Sequence, residues 1–243
     1  MEGKTHRIGG TVGALAWYLV LQKSGNLQSA EIVNPALQLI IIYSSGIYGG
    51  VWNDNDHHWQ SSPLNDPISR VQNIILHLAN EPFKNLDKTL SAKQKRTSFK
   101  YKLLDFLKCT HRSWQTHSEV TLLALWGLWV SAYTLGVTTT VDLVLWWLML
   151  VGFAWGVFSH LLLDMLTTEG IRFACGVFSN TFFGTRLPET IRLVPKSNAF
   201  KTGSAWEMMV RRLLAFVQYV LTGIVLLDLI HIDIISYITK FFS

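Results

Sequence analysis

Residues 141–170, VDLVLWWLMLVGFAWGVFSHLLLDMLTTEG, decide the fold. Crossing a hydrocarbon core of roughly 30 Å takes about 20 apolar residues, and residues 141–166 meet that length. The run closes on His160 and Asp164, at a depth where a polar group without a partner is costly. Helix positions four apart share a face, so the two side chains point the same way. The same row runs back through Gly156 and Gly152, and small residues at that spacing let a neighbouring helix approach closely. Two uses of such a pair are open at this point. Either the two residues hydrogen-bond to one another, or imidazole and carboxylate take a divalent metal such as zinc, manganese or iron.

Working outward, the chain has 243 residues, 49% of them hydrophobic, ten tryptophans and 15% charged residues, which argues against an ordinary soluble domain. The spacing of apolar runs predicts spans over residues 8–22, 31–50, 119–136, 141–166 and 213–230. The first is short and is expected to be tilted, extended by polar turns or packed inside the bundle. Residues 67–80, PISRVQNIILHLAN, read as an amphipathic interfacial helix that includes His77, and residues 231–243 as an interfacial segment or a continuation of the last span. The N-terminal stretch lacks a convincing cleavage site, so the first helix is expected to stay in the mature chain. Cys109 and Cys175 form no CxxC pair and suit packing in a reducing compartment. The expectation is an all-α, polytopic membrane helical bundle of about five transmembrane helices, a single domain over residues 1–243.

Lys and Arg distribution orients it, because cationic loops stay cytoplasmic. Lys4 and Arg7 precede the first span, residues 51–118 carry ten Lys or Arg and residues 167–212 carry seven, so 19 of the 21 fall on one side. Lys23 and Lys240 fall on the other. The N-terminus and two long loops, 51–118 and 167–212, are therefore expected in the cytoplasm. Attraction to anionic headgroups explains the basic loops better than nucleic acid does. On this topology His6, WNDNDHHW (52–59), HRSWQTHSE (111–119), the His160/Asp164 pair and GSAWEMMVRR (203–212) all reach the cytoplasmic membrane face.

A lone histidine or an Asn/Asp-rich turn at an interface is usually structural. Three His/Asp clusters at one depth point instead to a metal site, with more ligands than the four of a closed structural zinc site. Two metals sharing a carboxylate would suit them, activating water and clamping a phosphoryl oxygen. Arg112 and Arg186 could face the phosphoester charge through bidentate hydrogen bonds. Asp56 or Glu207 could act as general base.

The ordered pieces His6, DNDH, HRSWQTHS, SHLLLDMLT and RLPETIRLVP resemble the YdjM-like family of predicted membrane-bound metal-dependent hydrolases of the bacterial inner membrane. The likeness runs from His6 to about Glu207. It implies a metal site of His6, Asp54, Asp56, His57, His117, His160 and Asp164, with His111 as a further ligand candidate and Arg112 and Thr116 beside it. Arg186, Gly203 and Glu207 match weaker family positions. Where the family reads like LPDIDH this chain has VWNDNDH, and His111 and His117 are six apart where five is commoner.

The function expected is a phosphoesterase or phospholipase-like hydrolase at the cytoplasmic leaflet, with a mono- or dinuclear His/Asp site and a lipid or lipid-linked phosphoester substrate. Its alternatives are an ion or metal transporter, or a membrane interaction protein with a structural metal. A transporter more often has broken helices, paired repeats and charged residues near the midplane, whereas here the clusters sit at helix ends and no internal repeat is evident.

Overall fold

The computed structural model describes residues 3–23, 34–56, 67–91, 94–95, 98–107, 116–134 and 141–229. Each of the five apolar runs is helical: α1 Gly3–Lys23, α2 Pro35–Trp52, α5 Glu119–Thr134, α6 Val141–Met165 and α8 Ala205–Leu229. Between them lie α3 Pro67–Thr89, α4 Phe99–Leu107 and α7 Ala174–Phe183. α1 gains its length from a polar first turn that begins at Gly3, one of the routes expected for the short first run. α3 continues through Pro82, well beyond residue 80. Two two-residue strands, β1 Ile171–Arg172 and β2 Thr190–Ile191, add a small antiparallel ladder to the expected all-α architecture. Two of the described helices, through Leu145–Met165 and Ala205–Leu229, are by themselves long and apolar enough to cross a membrane. The chain divides into two compact units.

The first unit comprises Met1–Val51, Leu125–Leu163 and Phe200–Ser243. Its core joins Ala14, Leu15, Tyr18 and Leu19 of α1 to Ile42 of α2, Trp147, Leu148 and Val151 of α6, and Val225 of α8. Glycines set the spacing. A Cβ at Gly156 would lie 2.7 Å from the Gly50 nitrogen, one at Gly50 would lie 2.5 Å from the His6 carbonyl oxygen, and one at Gly9 would lie 2.6 Å from Leu163 Cδ1. The glycine row read from α6 therefore receives α2, backbone against backbone, as small residues at helix interfaces allow.

Contacts along these helices fix their directions. Thr5 meets Glu207 near the starts of α1 and α8, while Lys23 meets Asp228 near their ends, at 2.9 Å in both cases, so α1 and α8 run parallel. Tyr18 pairs with Gln38 near the start of α2 and His6 lies against Gly50 near its end, which makes α2 antiparallel to α1. α6 also runs against α1, with Trp17 on Trp155 and His6 on His160. Thr5, His6, Gly50, His160 and Glu207 consequently gather at one end of the unit. α8 leaves Leu213, Phe216, Tyr219 and Leu226 exposed, an apolar face of the kind that marks a membrane or protein contact.

The second unit comprises Trp52–Ala124 and Asp164–Ala199. Phe83 of α3 packs on Tyr101 of α4, whose hydroxyl donates to Asp87 at 2.7 Å. Phe106 of α4 meets Phe178 and Phe182 of α7 edge-on. Both oxygens of Glu119 accept from the first amides of α7, Ala174 at 3.0 Å and Cys175 at 3.1 Å, satisfying donors that a helix start leaves open. The β1–β2 ladder pairs Ile171 with Ile191 and Arg172 with Thr190. β1 is tied in turn to the segment before α5, since the Arg172 amide donates to the His117 carbonyl at 2.7 Å.

Candidate metal centre

In the first unit, the glycine packing brings a backbone carbonyl to a histidine. His160 Nδ1 lies 2.8 Å from the Gly50 oxygen, and because a carbonyl only accepts, Nδ1 carries the proton. Nε2 is then the atom with a lone pair, the arrangement in which a carbonyl orients an imidazole ligand for a metal. The His6 ring stacks on His160 at 3.7 Å with the planes 18° apart, and both rings are completely buried. Two imidazolium ions at that separation would repel in a poorly solvated site. Neutral rings avoid that cost.

Glu207 is also buried in this unit, but its oxygens are engaged. Oε1 accepts from Thr5 at 2.9 Å and Oε2 from the Gly203 amide at 2.7 Å, an amide presented by a left-handed backbone at Gly203 (φ 77°). Ser204 accepts from the Glu207 amide at 3.3 Å, so Ser204 and Glu207 form a variant of the capping box at the start of α8. The Ser-x-x-Glu spacing in GSAWE carries this signal, which the search for metal ligands passed over.

In the second unit, Asp54 sits on a 3-10 turn, Asn53–Asp56, directly after α2. His117 sits in the turn before α5, buried between Thr116 and Ser118. Thr116 Oγ1 lies 2.9 Å from His117 Nδ1, which leaves Nε2 facing two carboxylates: Asp164 Oδ2 at 3.6 Å and Asp54 Oδ1 at 4.0 Å. Those separations are long for direct hydrogen bonds. They leave room for a cation held by one nitrogen and two carboxylate oxygens. Asp164 is fully buried at the end of α6, and Thr167 closes that helix by donating to the Asp164 carbonyl from its amide at 2.9 Å and its hydroxyl at 2.7 Å.

α6 carries His160 and Asp164 one helical turn apart, the spacing read from the sequence. Buried groups of His and Asp that could hold a metal ion are therefore present around its C-terminal end. Their imidazole and carboxylate donors fit a divalent transition metal, with no thiolate among them.

Of the other residues named from the sequence, Asp56 belongs to the 3-10 turn and nothing further is described of its side chain. His57, His111 and Arg112 lie outside the described residues. Arg186 is exposed on the segment between α7 and β2. Asn53 was not singled out from the sequence, yet it is completely buried and, among the described residues, neither its side-chain nitrogen nor its oxygen has a hydrogen-bond partner. An orphaned amide is unusual in a buried position and stands immediately before Asp54.

No curated protein and no solved structure matches this chain. The model of one family does, over residues 1–227, nearly the whole sequence and every candidate site residue. With its apolar helices and its buried His and Asp groups, the chain belongs to the YdjM inner membrane protein family.

Proposed function

We propose that the buried His and Asp residues hold the metal of a membrane-bound hydrolase of the phosphoesterase type, acting at the cytoplasmic face on a lipid or lipid-linked substrate. One observation carries this reading: the Gly50 carbonyl sets the tautomer of His160. The histidine next to a metal-ligating carboxylate is thereby held with its lone pair available, which a merely structural His–Asp hydrogen bond would not need. His6, His160, Asp164, His117 and Asp54 are the ligands of this reading, and His57, His111 and Asp56 are further candidates on the sequence alone. A divalent ion bound there, zinc, manganese or iron, supplies Lewis acidity toward a phosphoryl oxygen and acidifies water.

The chain's own groups do the rest. The stacked rings of His6 and His160 and the closely packed glycines keep bulk water from the inner side. Asp56 takes the proton from the attacking water, while Glu207, both of whose oxygens already accept hydrogen bonds, holds α1 against α8. Arg112 pairs with the phosphoryl charge. The Asn53 amide offers a donor to the same oxygens.

Five alternating spans, with the N-terminus inside, are the topology that this function requires. The parallel course of α1 and α8, and the opposite course of α2 and α6, support it. The deciding experiment is metal analysis of the detergent-purified protein with assays of phosphodiester and phospholipid cleavage, comparing wild type with His160→Ala and Asp164→Ala. Both variants should lose metal and turnover together. Metal-replete wild type that cleaves no phosphoester, ester or amide, yet moves ions into proteoliposomes, would replace the hydrolase with a transporter.

A further inference from the structure

The second unit contains a recess of about 500 Å³, lined by Thr168, Glu169, Gly170 and Ile171, by Arg172 and Thr190 on the ladder, and by Arg192 and Lys196 beyond it. The β1–β2 register builds it. Pairing Arg172 with Thr190 puts Arg192 two residues along from that rung, so Arg172, Arg192 and Lys196 line one cavity. Arg192 is held in place: its Nε donates to the Thr168 carbonyl at 2.9 Å, and a Cβ at Gly170 would lie 2.7 Å from Arg192 Cγ. Only Nε is used in that bond, so the two terminal nitrogens of Arg192 remain as a donor fork. Arg172 has Glu189 near it, at 3.8 Å, a separation that leaves its own fork weakly engaged, and Glu169 is the carboxylate in the lining. Three cations against one lining carboxylate favour an anion. Paired guanidinium forks favour a tetrahedral oxyanion, which they grip with parallel hydrogen bonds.

The geometry points to this recess as a binding site for the phosphate of an anionic headgroup, held by Arg172, Arg192 and Lys196. The inference rests on the hydrolase reading only for what the headgroup belongs to. Two observations connect them. The Arg172 amide donates to the His117 carbonyl, so one wall of the recess is a single residue's backbone away from the His117 ligand segment. A volume of about 500 Å³ is also in the range of sites that enclose a small organic ligand and is larger than one phosphate needs. The sequence suggested Arg112 and Arg186 for this charge. Arg186 is exposed and is not among the residues lining the cavity.

The test is titration of metal-stripped, full-length protein in uncharged detergent with two probes, inorganic phosphate and short-chain phosphatidic acid, with wild type compared with Arg172→Gln, Lys196→Gln and Arg192→Gln. Arg172 and Lys196 have exposed side chains, so their variants keep the test valid if Arg192→Gln fails to fold. Each should weaken binding of the phosphatidic acid by about tenfold, with Arg172→Lys restoring part of it, and binding should fall as salt screens the site. Phosphatidic acid held at least as tightly as inorganic phosphate supports a headgroup site. Inorganic phosphate bound more tightly would make the ligand a free anion and overturn the lipid source. Affinities unchanged by Arg172→Gln and Lys196→Gln would overturn the site. Because metal is absent throughout, failure here leaves the hydrolase reading standing, and failure of hydrolysis in loaded protein leaves the recess standing.

Discussion

His160 depends on an atom that no substitution of a side chain can remove directly, the Gly50 carbonyl oxygen. Replacing His160 by alanine leaves that oxygen without its donor, at a cost of about 1–3 kcal/mol for a buried group. The expected result is a protein that inserts but no longer retains metal, because apolar helices and not the ion supply membrane stability. Metal content and a thermal melt of the same preparation check both halves. Glu207 separates two roles at the same scale. If it braces α1 against α8, Glu207→Ala lowers stability by about 1–3 kcal/mol, and Thr5→Val lowers it by about 1 kcal/mol through the shared hydrogen bond. A general base would instead lose turnover with the melt unchanged.

At the scale of elements, the approach of α2 to α1 and α6 is the feature on which the histidines hang. Gly50→Ala brings a methyl to within 2.5 Å of the His6 carbonyl, and Gly156→Ala brings one to within 2.7 Å of the Gly50 nitrogen. Backbone atoms cannot swing aside as a flexible side chain can, so the helices must part. Overpacking of this kind costs about 1–3 kcal/mol. Both variants should also bind metal more weakly, since parting the helices lengthens the His160–Gly50 hydrogen bond. Gly223→Ala on α8 is the control, because a methyl there meets nothing within 4 Å. It should be neutral or slightly stabilising, as alanine is the better helix former. Equal effects at Gly50 and Gly223 would count against packing as the cause.

For the whole molecule, the prediction concerns sidedness. With 19 of 21 Lys and Arg assigned to one side, single cysteines at residues 85–100 should resist an impermeant thiol reagent in intact cells, and cysteines at residues 25–28 should react. The reverse pattern would put the His and Asp groups on the opposite face and remove the cytoplasmic-leaflet reading. The exposed apolar face of α8 gives an independent check, since Phe216→Glu should block insertion or force that helix out of lipid.

Local patterns determined much of this protein. Length and apolarity made the five apolar helices readable, and the interval of four that sets His160 over Asp164 also sets Gly156 and Gly152 behind them, because helical geometry fixes which side chains share a face. The start of α1 was less legible, since its first turn is polar and is held by tertiary contacts such as Thr5 with Glu207. Only the tertiary structure decided that His6 stacks on His160, that Gly50 rather than a side chain orients His160, and that Glu207 is a strut to Thr5 between helices. Each of these joins residues over one hundred positions or more apart, where no period in the chain carries information. The Arg172, Arg192 and Lys196 recess was hidden for a related reason. Its cations are scattered among loop residues in the sequence and converge because a two-residue ladder sets their register, and the strands are too short for alternation to announce them.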